Sequence, residues 1–157
     1  MDETAYRNVR GGINRLPCVF EKALLARCAA CPLAHRHAVA ERETLACTDP
    51  ETHARCRAFH FLLRENSSFA LKLSDPAQRI PHAIEMKLQC GGLRGLQEAL
   101  GEVVPDTDSG VLGGMLEVSE LLQRALERHD SLAALPYSRI IQGVAAWQGR
   151  KRNRRAP

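Results

Sequence analysis

Apolar positions at helical spacing recur along most of the chain. In PCVFEKALLARCAA, residues 17–30, Val19, Phe20, Ala23, Leu24 and Ala26 fall at helical spacing, and Pro17 suits a first helical position. The pattern predicts a helix there, disturbed by Pro32 just after Cys31. A second short helix is predicted over 38–46. Thr48-Asp49-Pro50-Glu51 then joins a capping side chain, a first-turn proline and an acid at the positive end of the helix dipole. It predicts a helix running to about residue 65. Residues 66–74 read either as a short strand or as continued helix, because FALKL alternates. Ser74-Asp75-Pro76 signals a turn, and Pro81 predicts a helix over 81–88. Gly91-Gly92 interrupts that helix, and LRGLQEAL resumes it.

Two broad apolar stripes predict closing helices over 112–128 and 136–148. The first carries Leu112, Met115, Leu116, Leu121, Leu122, Ala125 and Leu126; the second carries Ile140, Ile141, Val144 and Trp147. No repeat of fixed period is present. The expected fold is all-α: a small irregular helical domain with a cysteine-ligated metal site in its N-terminal half and a C-terminal helical hairpin. Residues 14–100 form the cysteine-rich region, 101–114 a linker rich in glycine and acid, 115–148 the hairpin and 149–157 a basic, disordered tail. Residues 1–13 lack a pattern that would order them.

Composition supports helix over sheet, since aromatics make up only 4% of the 157 residues while Ala and Leu are abundant. A chain of this length can bury a core without covalent staples. No apolar run approaches a bilayer span and no secretory h-region opens the sequence, which leads to an expectation of a cytoplasmic protein without membrane contact. The net charge of +4 is uneven. Arg150, Lys151, Arg152, Arg154 and Arg155 lie in the tail, and the remaining 17 basic and 18 acidic residues leave the body near neutral. Nucleic-acid binding is therefore open to the tail alone and is not the favoured reading.

Cysteine changes the picture most. Cys18, Cys28, Cys31, Cys47 and Cys56 follow the pattern C-x9-C-x2-C-x15-C-x8-C, and Cys90 comes later in QCGGLRGLQ. In a reducing compartment such clustering points to metal or redox chemistry rather than structural disulfides. A thioredoxin-like pair is disfavoured, because the CxxC lies near a predicted helix end and lacks a βαβ context. Structural zinc draws on close Cys and His pairs, and only one close pair is present, although His35, His37, His53 and His60 lie nearby. The expected ligands are Cys28, Cys31, Cys47 and Cys56, with Cys18 and Cys90 as substitutes. The expected cofactor is an iron–sulfur cluster of the 4Fe–4S kind, with zinc as the alternative. Glycines beside Cys90 would let backbone N–H groups approach a sulfur or an anion.

The run CVFEKALLARCAACPLAHRHAVAERETLACTDPETHARC, with FALKL and LQCGGLRGLQ, resembles small cysteine-rich proteobacterial iron–sulfur proteins over about residues 16–98. It is also similar to the four-cysteine module that precedes leucine-rich variant repeats in nitrogen-fixing bacteria. The repeats are absent and the spacing differs, so no ligand assignment carries over. The resemblance implies a cluster and a role in anaerobic or nitrogen metabolism.

No Ser/His/Asp order, HExxH, Walker loop or dinucleotide fingerprint occurs. Cys90 with His82 is the one candidate for thiol catalysis, and it is not favoured. The expected function is a non-catalytic iron–sulfur protein, an electron carrier or accessory factor with a redox or assembly partner. The alternative is a zinc- or cluster-containing regulator whose basic tail binds nucleic acid or an acidic partner.

Overall fold

A computed structural model of the chain describes residues 3–5, 8, 16–75, 77–102 and 115–149. Most of the N-terminal stretch, most of the expected linker and nearly all of the basic tail lie outside these residues. The chain forms α1 (Glu21–Leu25), β1 (Ala34–Val39), β2 (Arg42–Cys47), α2 (Pro50–Ser67) and α3 (His82–Met86). A π-helical turn (Lys87–Gly91), α4 (Gly92–Ala99), α5 (Val118–Arg128), a 3-10 turn (Leu132–Ala134) and α6 (Tyr137–Ala146) follow.

The all-α expectation is corrected by the antiparallel β1–β2 hairpin, paired from Ala34 with Cys47 to Val39 with Arg42. Residues 38–46 are mostly strand rather than helix. The reason is visible in burial: Val39, Thr44 and Leu45 are buried while their charged neighbours stay outside. Glu21, in the first turn of α1, fixes this face by accepting from Thr44 Oγ1 at 2.8 Å and Leu45 N at 2.9 Å. The turn uses Ala40 at φ 55°, a left-handed conformation usually given to glycine or asparagine, so no turn signal marks it in the sequence.

The predicted helix over 17–30 shrinks to α1. Its end is a Schellman closure: Arg27 N donates to Leu24 O at 3.1 Å, Cys28 N donates to Ala23 O at 2.9 Å, and Arg27 takes φ 61°. Pro32 then opens a tight turn, closed by Ala34 N on Cys31 O at 3.2 Å, that leads into β1. Helix α2 starts at the predicted cap, where Asp49 Oδ2 accepts from Thr52 N at 3.3 Å. Residues 68–72 form turns, not strand.

The C-terminal hairpin is also corrected. Helix α6 packs chiefly on α4 and the π turn rather than on α5. Glycines permit that contact. A methyl group on Gly95 would fall on the Ile140 carbonyl, and one on Gly143 would stand 2.6 Å from Gly95 Cα. One on Gly91 would stand 2.7 Å from Gly143 O. Leu63, Leu88, Leu96, Leu121, Ile140 and Val144 fill the core that α2, the π turn, α4, α5 and α6 share. The core extends to α1 through Phe20 and Ala23. Ala30 bridges the two halves, donating to Leu116 O at 2.8 Å and accepting from Val118 N at 3.0 Å. Trp147, at the end of the second apolar stripe, is partly buried against this core. Among the described residues no helix is long and apolar enough to cross a membrane.

Candidate functional site

Four segments bring thiols to one place. The stretch Leu16–Cys18 runs antiparallel along β2, with Cys18 N donating to Leu45 O at 2.9 Å and Cys47 N to Leu16 O at 2.8 Å. Pro17, which has no N–H, pairs with Ala46 at this edge without losing a ladder bond. The ladder sets Cys18 beside Cys47 at the end of β2. Helix α2 contributes Cys56, and its His53 Nε2 donates to Pro17 O at 2.9 Å, tying the helix to the Cys18 segment. The Schellman closure and the Pro32 turn deliver Cys31.

Cys18, Cys31, Cys47 and Cys56 together line one cavity, with Val19, Phe20, Leu24, Thr52, His53 and Val118 among its other walls. Its volume is about 20 Å³, above the ~10–15 Å³ that one water needs and far below the ~300–1,000 Å³ of an organic ligand pocket. The wall is almost wholly carbon and sulfur. Burial pushes the Cys18 thiol up to about 12; the charges of Cys31, Cys47 and Glu21 add to this, against a hydrogen bond from the Phe20 backbone. Burial likewise pushes Cys56 up to about 12, joined by the charges of Cys18, Cys31 and Cys47 and opposed by Arg55. The Cys47 thiol donates to Asp49 O at 3.3 Å.

The expected ligand set is therefore redrawn. Of the expected ligands, Cys31, Cys47 and Cys56 line this pocket and Cys28 does not, while the expected substitute Cys18 does. The two members of the CxxC separate because the chain between them is not helical: Cys28 ends the Schellman closure, while Cys31 begins the next turn. Cys28 instead packs, partly buried, against the hydrophobic core. The expected cysteine-ligated metal site is corrected as well. Among the described residues, no group of three or more His, Cys, Asp or Glu side chains is placed to hold a metal ion. The four thiols ring a volume instead of meeting at a point.

On the sequence alone Cys18 is a substitute ligand because it shares a predicted helix with Cys28, the two flanking one side loosely at about 80° apart. The strand-like entry of residues 16–18 had no periodic signal to announce it. His35 and His37 stack edge to face at 4.7 Å on β1, outside the cavity. His60 donates from Nε2 to Glu85 Oε1 at 2.6 Å, and His82 Nδ1 lies 2.7 Å from Lys22 Nζ, so neither is spent on the thiols. His82 and Cys90, the candidates for thiol catalysis, do not share this cavity.

Compared with protein-family models, with curated proteins and with solved structures, the chain matches none.

Proposed function

We propose that this chain is an iron–sulfur protein, an electron carrier or accessory factor, whose cluster is held by Cys18, Cys31, Cys47 and Cys56. One observation carries the reading: thiols from four separate segments line a single small pocket. The competing account treats them as four small hydrophobes around a packing defect. A void of 20 Å³ costs only about 0.5 kcal/mol at ~24 cal/mol per Å³, so its mere existence decides nothing. The sulfur lining favours the cluster. Scattered buried cysteines have no reason to select the same wall from an edge segment, a turn, a strand end and a helix.

What supports such a group is the chemistry of the donors: four thiols and no carboxylate line the pocket. Metal–thiolate bonds are about 2.3 Å, well inside van der Waals contact, so a core bonded to its own walls needs less free space than a ligand that merely touches them. Thiols that repel one another when ionised are stabilised as thiolates by a positive centre. A ring of sulfurs suits a polynuclear core better than one zinc ion. When bound, the cluster supplies one-electron chemistry. Phe20, Leu24 and Val118 keep water from the sulfurs, and the His53–Pro17 bond holds two ligand segments together. The resemblance of the cysteine-bearing run to cluster proteins of nitrogen-fixing bacteria supports a place in anaerobic or nitrogen metabolism, with a redox or assembly protein as partner. Zinc, and a regulator acting through the basic tail, have no comparable observation behind them; the tail lies outside the described residues.

Anaerobic purification followed by iron, sulfide and zinc analysis tests the reading. The expected result is about four iron and four acid-labile sulfide per chain, with a brown colour. A colourless protein that stays so after anaerobic reconstitution with iron and sulfide overturns it.

A further inference from the structure

A second and much larger space lies along α2. It is a groove of about 470 Å³, within the ~300–1,000 Å³ of organic-ligand pockets. Among the described residues it shares only Val19 with the sulfur-lined pocket. One wall is a stripe of α2 that carries Arg57, Phe61, Arg64, Glu65 and Ser68, residues that recur at steps of three and four and so share a helix face. The facing wall is Leu73, Ser74 and Asp75. A Schellman closure folds that segment back along the helix: Lys72 takes φ 56°, Lys72 N donates to Phe69 O at 3.2 Å, and Leu73 N donates to Ser68 O at 2.8 Å. The fold-back is then fastened. Arg64 donates to the Gln78 carbonyl, Asp75 Oδ1 accepts from Ala77 N at 2.9 Å, and Gln78 N donates to Asp75 O at 3.0 Å. The groove is thus formed before any ligand arrives.

Its lining is of two kinds. Phe61 is 65% exposed and offers an open ring beside Val19 and Leu73. Arg57 and Arg64 bring two guanidiniums, and Glu65 and Asp75 bring two carboxylates. Among the described residues no salt bridge joins any of these four charges to another. A simple anion in the groove would face two carboxylates, and a simple amine would face two guanidiniums. A zwitterion with an apolar body suits both signs and the ring. We propose that the groove binds a free α-amino acid with a large apolar side chain. Its carboxylate meets Arg57 and Arg64, whose planar forks match that group. Its ammonium meets Glu65 and Asp75, and its side chain lies against Phe61, Val19 and Leu73.

Calorimetric titration of the full-length protein tests this with L-phenylalanine and three cut-down forms of it: 3-phenylpropanoate without the ammonium, phenethylamine without the carboxylate, and L-alanine without the ring. The expected result is saturable binding of L-phenylalanine, with each of the other three weaker by about tenfold or more. Arg57, Phe61 and Glu65 are exposed, so their substitution leaves the core intact. Arg57→Gln should weaken L-phenylalanine and 3-phenylpropanoate but not phenethylamine. Glu65→Gln should weaken L-phenylalanine and phenethylamine but not 3-phenylpropanoate, and Phe61→Ala should weaken all three. Absence of saturable L-phenylalanine binding at millimolar concentration overturns the inference. So does equal affinity for either singly charged analogue, or L-phenylalanine affinity unchanged in Arg57→Gln and Phe61→Ala. The groove does not depend on the cluster: an iron-free chain that binds in this pattern leaves it standing.

Discussion

At Gly95 a single methyl group decides whether two helices can touch. The Cβ of an alanine there would fall on the Ile140 carbonyl, backbone that no side-chain rotation can move aside. Gly95→Ala should therefore lower stability by about 1–3 kcal/mol as α4 and α6 are forced apart, measured by denaturant unfolding. The sequence showed these glycines plainly but not their use. Gly91 and Gly92 read as a helix break that could bring backbone N–H groups to a sulfur or an anion, and Gly95 as plain helix, whereas Gly91 and Gly95 are contact points for α6, a role set by a partner some fifty residues away. Glu85 carries a second prediction at this scale. Burial would push its carboxyl up, but hydrogen bonds from His60 and Gln89 and the charges of His60 and Lys22 outweigh that and hold it below its ordinary 4.5. A carboxyl with a lowered folded-state pKa binds its proton more weakly when folded. Its stabilisation is present above pH 4.5 and lost as pH falls further through the folded value. Glu85→Gln should cost about 1–3 kcal/mol at neutral pH and flatten this part of the acid limb, as followed by thermal unfolding at several pH values.

At the scale of elements, the capping signal at Asp49 and the stripes of α5 and α6 were legible because their chemistry is local. The β1–β2 hairpin was not. Ala, Glu and Arg favour helix on propensity, and what selects strand here is tertiary: Glu21 claims Thr44 and Leu45, and residues 16–18 add to the edge of β2. The turn hides as well, since Ala40 holds a left-handed φ of 55° without glycine's freedom. Ala40→Gly should then stabilise the protein, by about 1 kcal/mol once the relieved strain is set against the added chain entropy; a drop in the unfolding midpoint would contradict this account of the turn. The end of α1 explains why the CxxC pair parts. With 17–30 read as one helix, Cys28 and Cys31 appear as a joint grip. With the helix ended at Leu25 and the chain turned twice, only Cys31 lines the pocket.

For the whole molecule, the sulfur-lined pocket lies where the edge of the hairpin meets the helices. The segment of Cys18, the Cys31 turn and the end of β2 lie at the edge of the helical core, and the sulfurs are where they meet α2. Burial pushes the Cys18 and Cys56 thiols up to about 12. Their raised values give stability that is complete below pH 9 and is lost as pH climbs toward 12, so metal-free protein should unfold more readily across that range. Thiolates already committed to a cluster would not show this loss. The most direct measurement compares the visible iron–sulfur absorption of two anaerobically prepared variants, Cys18→Ser and Cys28→Ser. The account predicts that the first loses the absorption while the second keeps it at wild-type intensity; loss in the second with retention in the first would contradict it.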